Sequence, residues 1–218
     1  MNTELEKRIL SSIILVPLSF FFIIKGLFLF NLFLTICFFI TSYEWYMMSK
    51  KKNYLIPGYL FLIFSFYCTY NLRNDLGNES LSTFLLVIII CISTDLGGYF
   101  FGKIFKGPKL TKISPNKTYS GTIGGYFLSL ISISLFYYYS FSDYFTNFTL
   151  RAVVVILLIS SISQIGDIII SYFKRLSKVK HTGKIIPGHG GLLDRIDGMI
   201  FVFPFVYLVT SISIMINI

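Results

Sequence analysis

The chain alternates long apolar stretches with short polar breaks. Seven apolar stretches can be recognised, at residues 9–24, 27–47, 54–70, 81–101, 119–139, 153–173 and 199–216. A helix needs about 20 apolar residues to cross the hydrocarbon core of a bilayer. Because lipid offers no hydrogen-bond partners to an open backbone, such spans form helices. The pattern therefore predicts an all-α, polytopic transmembrane helical bundle of about seven spans.

The composition agrees with lipid as the main solvent of the chain. Of the 218 residues, 55% are hydrophobic and only 13% are charged, which is too apolar for an ordinary soluble domain. The three cysteines lie inside apolar stretches, at no spacing typical of a metal site. We interpret them as packing residues.

The basic residues lie mostly on one side of the predicted membrane. With the N-terminus placed in the cytoplasm, all but three of the 19 Lys and Arg fall on the cytoplasmic side, the exceptions being Lys25, Arg73 and Arg151. This bias follows the positive-inside rule. The net charge of +9 therefore orients the chain and faces membrane lipids or an anionic substrate. We expect no nucleic-acid partner.

The polar chemistry is unevenly distributed along the chain. Residues 1–80 are almost entirely apolar, so we predict N-terminal scaffold helices there and interpret Glu44 as an interfacial residue. Residues 81–218 carry Gly, Asp, Ser and Lys within and directly after the spans. We therefore predict a catalytic transmembrane region in this part, with two cytoplasmic loops at residues 102–120 and 174–198.

Two carboxylates, Asp95 and Asp167, lie inside apolar stretches. A carboxylate at the bilayer centre costs on the order of 3 kcal/mol, so each is expected to have a partner or a task. At about 100° per residue, one face of the sixth helix carries Gln164, Asp167, Ser171, Lys174 and Lys178. The stripe predicts a polar site at the cytoplasmic end of this helix.

The loop after the sixth stretch contains a glycine-flanked histidine followed by acids. Gly188, Gly190 and Gly191 surround His189, and glycine permits positive φ and a close backbone approach to phosphate. The acids and the arginine that follow are Asp194, Arg195 and Asp197.

Two readings of these acids remain open. Asp167 and Asp194 could converge on one divalent cation, for which Mg²⁺ is favoured because it takes oxygen ligands and shares substrate phosphates. Alternatively, Asp194 pairs with Arg195 and caps the last helix without a metal.

The earlier loop carries a second polar cluster. Ser114, Lys117 and Thr118 directly precede the fifth helix. Hydroxyls, an ammonium and a helix N-terminus together can bind an anion. We therefore predict a substrate-phosphate contact there.

The residues of these two loops and of the sixth helix resemble the signature of the phosphatidate cytidylyltransferase family, also called CDP-diacylglycerol synthases. The signature is matched by Ser171, Phe173, Lys174, Arg175, Lys180, Pro187, His189, Gly190, Gly191, Asp194, Arg195 and Asp197. It extends back through 164–167, the Ser114, Lys117 and Thr118 loop, and Asp95 with the glycines and aromatics that follow. The resemblance covers roughly the C-terminal half of the chain.

The resemblance implies a reaction in which phosphatidic acid and CTP give CDP-diacylglycerol and pyrophosphate. It implies Mg²⁺ on Asp167 and Asp194, a second cation being an option, with Asp197 as a neighbouring or additional ligand. The pyrophosphate would be stabilised by Lys174, Arg175, His189 and Arg195. Substrate would be bound by Ser114, Lys117, Thr118, Ser171, Gly190, Gly191 and Asp95. It also implies a homodimer in a bacterial-type inner membrane, with the active site facing the cytoplasm.

The chain departs from the family pattern at three positions. His181 stands where Asp is usual, Ser120 where Glu is usual, and Gly198 where Ser is common. The two carboxylates of the expected metal centre are present, so we expect a working enzyme.

Two other functions fit an intramembrane carboxylate. A membrane transporter is one, but carriers commonly show interrupted helices in two inverted halves, and the polar residues here crowd one half of the chain. A related lipid nucleotidyltransferase or phosphotransferase acting on another lipid is the other.

Overall fold

A computed structural model describes residues 3–74, 80–140, 150–188 and 190–215. Within these residues the chain is helical apart from its connections. The helices are α1 (Thr3–Lys25), α2 (Leu27–Ser49), α3 (Leu55–Asn74), α4 (Ser80–Phe105), α5 (Tyr119–Ser140), α6 (Leu150–Leu176), the single-turn α7 (Leu193–Ile196) and α8 (Met199–Met215). The all-α prediction is confirmed for the part of the chain that the structure describes.

The long helices differ in how well they match a membrane span. Five of them, α2 to α6, are long and apolar enough to cross a bilayer. The apolar portions of α1 and α8 are shorter, at Leu10–Lys25 and Met199–Ser211. Each of the seven predicted stretches thus coincides with a helix, and five of these helices have the length and composition of a span.

The helices extend further into the two predicted loops than the hydropathy indicated. Helix α4 continues to Phe105, so the first connection contains residues 106–118 rather than 102–120. Helix α6 ends at Leu176, and Lys178 follows in a turn with φ of 58°. The prediction that Lys178 belongs to the polar face of α6 is therefore wrong.

A tight reversal joins α1 to α2. Gly26 alone separates the two helices and has a φ of 64°, a left-handed conformation that glycine adopts without strain. The Arg73 guanidinium lies directly against it, and a Cβ atom at position 26 would come within 2.7 Å of Nη2. Arg73 in turn donates hydrogen bonds to the carbonyl of Ile23. Glycine is favoured here by its backbone conformation, and any side chain would also have to displace the Arg73 guanidinium.

Helices α4 and α5 form the most extensive helix pair among the described residues. Their backbones approach closely because glycines face each other. A Cβ atom at Gly121 would lie 2.7 Å from the carbonyl oxygen of Gly98, and one at Gly97 would overlap the backbone of Gly124. Small residues allow this proximity in membrane helices, where packing rather than water drives association. The contact holds the connection that carries Lys117 against the bundle.

A matched pair of substitutions tests this contact. We expect Gly97→Ala to lower thermal stability in detergent, by about 1–3 kcal/mol, because the added methyl group has no free space. Gly98→Ala should have little effect, since its Cβ atom would meet only the Gly121 carbonyl oxygen at 3.8 Å. Equal melting temperatures for the two variants would contradict the close packing of α4 on α5.

Among the described residues, one apolar core lies against the connection between α6 and α8. It joins Trp45 and Met48 of α2 and Leu62 and Phe66 of α3 to buried residues of the later helices, namely Ile170, Leu193 and Ile200. Leu193 of α7 is fully buried in it. The early helices thus pack directly on the short helix that carries the predicted acids.

Candidate active site

Asp167 of α6 lies at the centre of a polar cluster. Its Oδ2 atom is 2.6 Å from the Nζ atom of Lys117, and its Oδ1 atom accepts a hydrogen bond of 3.3 Å from the Ser171 hydroxyl. Lys117 also donates to the backbone carbonyl of Gln164, at 3.1 Å. The predicted polar face of α6 is confirmed from Gln164 to Lys174. The partner of Asp167 on this face is Lys117, which comes from the connection between α4 and α5.

The connection before α5 is folded so that Lys117 points to α6. The backbone N–H of Leu110 donates to the carbonyl of Lys117, and Lys109 forms an isolated bridge with Thr118. The Thr118 hydroxyl accepts the backbone N–H of Gly121 at 3.1 Å, which caps the start of α5. Lys117 is therefore held between a backbone bridge and a helix cap.

Asp194 of α7 receives three hydrogen bonds. Lys174 donates to Oδ1 at 2.8 Å, while the backbone N–H groups of Thr182 and Gly191 donate to Oδ2 at 3.0 and 3.3 Å. Burial alone would raise the pKa of Asp194, but the Lys174 ammonium and the two N–H donors lower it below its ordinary value. Asp194 is thus ionised at neutral pH. These distances place Lys174, Thr182 and Gly191 around this carboxylate, and its pairing with Arg195 stays a prediction.

Asp197 is buried where α7 meets α8. Its Oδ2 atom lies 3.9 Å from the Nζ atom of Lys174, and its side chain is in hydrogen-bond contact with Asp167. Burial raises the pKa of Asp197 well above its usual range, and the neighbouring Asp167 carboxylate raises it further. Two carboxyl groups in contact require a proton or a cation between them.

The predicted metal ligands belong to one chain of ionic contacts. Asp167 touches Asp197, and Lys174 lies between Asp197 and Asp194. Among the described residues, no group of three or more His, Cys, Asp or Glu is arranged to hold a metal ion. The two carboxyl groups in contact are those of Asp167 and Asp197, whereas Asp194 is joined to Asp197 through Lys174. Carboxylate oxygens are the ligand type that Mg²⁺ takes, together with water and substrate phosphate.

Other predicted site residues lie around this chain of contacts. Asp95 of α4 is within electrostatic reach of Asp167, Lys117 and Arg195. Arg175 is exposed on the end of α6. The Ser114 carbonyl accepts the backbone N–H of Lys117 and so shapes the loop. His189 lies outside the described residues.

The backbone N–H groups of the glycine-rich loop donate hydrogen bonds to acceptors of the protein itself. Gly188 and Gly190 have positive φ values of 75° and 92°, as the sequence indicated. The backbone N–H of Gly190 donates to the Ile186 carbonyl at 3.1 Å, and the reverse bond measures 2.9 Å. The Gly191 N–H donates to Asp194. In this structure these groups shape a narrow turn that presents Asp194.

Glu44 of α2 is the residue that the sequence interpretation missed. It is only 1% exposed, and its carboxylate accepts hydrogen bonds from the backbone of Leu192 and Leu193 and from the Thr182 hydroxyl. The reading of Glu44 as an interfacial residue is therefore wrong. The signal was available, because Glu44 also lies within an apolar stretch, residues 27–47, where a carboxylate is expected to have a partner or a task.

The three departures from the family pattern each have a local setting. His181 places Nδ1 3.5 Å from Oδ2 of Asp194. Ser120 donates a hydrogen bond to the Lys106 carbonyl and contacts Thr118. At Gly198, a Cβ atom would lie 2.9 Å from the carbonyl oxygen of Ser163 in α6. Glycine at this position lets α8 start close against α6.

Fold and site together define an all-helical protein of the membrane type that gathers aspartates and lysines from α4, α6, α7 and the connection before α5. The sequence model of the cytidylyltransferase family matches residues 70–213, which span every residue of this cluster and more than half of the chain. The chain belongs to the cytidylyltransferase family.

Individual relatives carry a more specific name. A protein named phosphatidate cytidylyltransferase from Rickettsia conorii is 34% identical over 208 residues, covering 91% of this chain and 88% of the relative. Its namesake from Rickettsia typhi is 34% identical over 204 residues, covering 90% and 88%. A Staphylococcus aureus protein of the same name is 44% identical over 129 residues, covering 58% of this chain and 48% of the relative.

Proposed function

We propose that this chain is a phosphatidate cytidylyltransferase. It transfers CMP from CTP to phosphatidic acid and releases pyrophosphate, giving CDP-diacylglycerol for phospholipid biosynthesis. The family membership and the names of the Rickettsia relatives support this activity. The observation that carries it is the chain of ionic contacts from Lys117 through Asp167 and Asp197 to Lys174 and Asp194.

The chemistry requires charge neutralisation more than proton transfer. An oxygen of the phosphatidate phosphate attacks the α-phosphorus of CTP, and the bond from that phosphorus to the bridging oxygen of the β-phosphate breaks. The nucleophile is already ionised, so no strong general base is needed. Catalysis then depends on positioning and on electrostatic stabilisation of the phosphate charges. A site of alternating carboxylates and ammoniums is suited to this task.

Asp167 and Asp194 are the proposed ligands of Mg²⁺, with Asp197 beside them. The ion, when bound, would neutralise charge on the triphosphate. Lys117 and Lys174 occupy the carboxylate oxygens in this structure, at 2.6 and 2.8 Å. On binding of substrate and cation, we propose that both ammoniums turn to phosphate oxygens.

The remaining residues of the proposal bind the substrates. The pyrophosphate side is assigned to Lys174, Arg175, His189 and Arg195. The side that holds the substrate phosphates and the lipid headgroup is assigned to Asp95, Ser114, Lys117, Thr118 and Ser171, with Gly190 and Gly191 shaping the loop. Each assignment follows the resemblance together with the position of the described residues around Asp167.

We further propose that the site faces the cytoplasm of a bacterial-type inner membrane and that the chain forms a homodimer. The cytoplasmic orientation is supported by the distribution of Lys and Arg, of which Lys25, Arg73 and Arg151 alone fall on the opposite side of the predicted topology. CTP, which is made inside the cell, reaches a site with this orientation directly.

Pyrophosphate release tests the proposal. The purified chain in detergent, with Mg²⁺ and phosphatidic acid, is given each of the four ribonucleoside triphosphates in turn. We expect release only with CTP and only when phosphatidic acid is present. Protein heated above its melting temperature is the control for contaminating activity. Release with another nucleotide, or with CTP in the absence of phosphatidic acid, would refute the assignment.

A further inference from the structure

The Glu44 carboxylate is inserted from α2 into the loop that precedes α8. Its Oε1 atom accepts the backbone N–H of Leu192 at 2.8 Å. Its Oε2 atom accepts the backbone N–H of Leu193 at 2.8 Å and the Thr182 hydroxyl at 2.9 Å. One buried side chain thus joins two loop segments that lie ten residues apart in the sequence. Charged acceptors make stronger hydrogen bonds than neutral ones.

The loop backbone is shaped to receive this carboxylate. A Cβ atom at Gly183 would lie 2.6 Å from Oε1 of Glu44, and one at Gly191 would lie 2.6 Å from Oε2. Both positions therefore need glycine for space. The sequence pattern explains Gly191 by a close approach to a substrate phosphate. The structure adds a second explanation, because a side chain at this position would collide with Glu44.

Thr182 connects Glu44 to the proposed metal ligand. Its hydroxyl donates to Glu44, while its backbone N–H donates to Oδ2 of Asp194 at 3.0 Å. Gly191 donates to the same Asp194 oxygen and packs on Glu44. The two backbone donors to Oδ2 of Asp194 are therefore Thr182, whose hydroxyl binds Glu44, and Gly191, which packs on Glu44.

We propose that Glu44 is a positioning residue of the transferase: it clamps Thr182 to residues 192–193 so that Asp194 is held in its catalytic orientation. This inference deepens the proposed function and rests on it. Glu44 acts through Thr182 and Gly191 and touches no substrate. It assigns a role in catalysis to α2, which the sequence placed in the scaffold.

The substitution Glu44→Gln tests the clamp with almost no change in shape. A carboxylate offers two acceptor oxygens, whereas an amide offers one oxygen and an NH₂ group that would face the N–H of Leu192 or Leu193. We expect kcat to fall about 10- to 100-fold, as for other residues that orient a ligand, with much smaller changes in KM for CTP and phosphatidic acid. Glu44→Asp keeps both oxygens and should recover part of the rate.

Hydrogen–deuterium exchange supplies a readout that does not depend on activity. In Glu44→Gln we expect the amides of the peptide covering residues 182–194 to exchange at least about tenfold faster, because opening of the loop becomes easier. Peptides from α4 and α5 should exchange as in the wild type. Faster exchange everywhere would mean general destabilisation and would contradict a local clamp.

Two further variants separate positioning from general effects. Ser49→Ala is the matched control, because Ser49 is a buried polar residue of the same helix. Among the described residues, its hydroxyl bonds to the Trp45 carbonyl of its own helix. This variant should leave kcat and exchange unchanged. Thr182→Val removes the hydroxyl bond and keeps the N–H bond to Asp194. Its effect should not add to that of Glu44→Gln, since the two side chains act as one unit.

The outcomes distinguish this inference from the proposed function. Unchanged kcat in Glu44→Gln would overturn the positioning role, whatever the exchange shows. Reduced kcat with unchanged exchange would also overturn it, since Glu44 would then act by another route. If the wild type itself releases no pyrophosphate, the proposed function fails, and the exchange experiment still decides whether Glu44 holds the loop.

Discussion

Asparagine at position 167 or 194 will reduce turnover by at least about 100-fold while leaving a folded protein, which in Asp194→Asn melts at a lower temperature because the buried Lys174 loses its nearest partner. Each change removes one negative charge from the chain of ionic contacts and leaves the shape of the side chain intact. Removing one preorganised group that stabilises transition-state charge costs about 10²–10³ in kcat. Asp167→Asn breaks the ion pair with Lys117, and Asp194→Asn breaks the ion pair with Lys174.

Initial rates of CTP-dependent pyrophosphate release measure this loss. Folding is checked by size-exclusion elution and melting temperature in the same detergent. Ser161→Ala on α6 is the control, because its hydroxyl contacts Tyr126 and the Leu157 carbonyl, away from the aspartates. Rates like those of the wild type in either asparagine variant would show that the site lies elsewhere.

Lys174→Met should destabilise the protein as well as inactivate it. Lys174 is the cation between Asp194 and Asp197, at 2.8 and 3.9 Å, and it is 9% exposed. Removing one partner of a buried ion pair leaves an uncompensated charge and costs about 3–5 kcal/mol. The expected result is a clear fall in melting temperature, together with loss of pyrophosphate release.

A double variant separates the two effects of Lys174. In Lys174→Met/Asp194→Asn the uncompensated carboxylate is also gone, so most of the lost thermal stability should return while activity stays absent. A double variant that is as unstable as Lys174→Met alone would show that packing of the lysine chain, rather than its charge, is what stabilises the loop.

The helical bundle could be predicted because hydropathy reports the transfer of apolar side chains into lipid, which dominates the folding of membrane spans. Each predicted stretch corresponds to a helix, and the errors are confined to ends, such as the extension of α4 to Phe105 and the end of α6 at Leu176. Helix ends depend on local capping and turn geometry. Hydropathy averaged over about 20 residues does not detect these local features. Lys178 was assigned to a helical face for this reason.

The carboxylates of the site were recognisable because each lies where a charge is costly. Asp95 and Asp167 lie within apolar stretches, and the helical period placed Ser171 and Lys174 on the face of Asp167. The pairing of Lys117 with Asp167 was not predictable, because it depends on how the connection before α5 folds back on α6. No periodicity relates residues 50 positions apart.

The contact between Asp167 and Asp197 was likewise beyond the sequence. It depends on the close approach of α8 to α6, where Gly166 lies against Phe201 and the backbone of Asp197. The resemblance suggested that Asp197 would be a neighbour of the metal ligands, but it did not indicate a direct contact. Tertiary packing decides which of several nearby acids meet.

Isotope transfer decides whether the α-phosphate of CTP passes to a lipid. The purified chain in detergent with Mg²⁺ and phosphatidic acid is given CTP labelled with ³²P at either the α- or the γ-position. We expect α-label to enter the chloroform-soluble fraction as CDP-diacylglycerol, while γ-label appears only in water-soluble pyrophosphate. Entry of γ-label into the lipid would instead indicate a kinase, and it would contradict the proposed function.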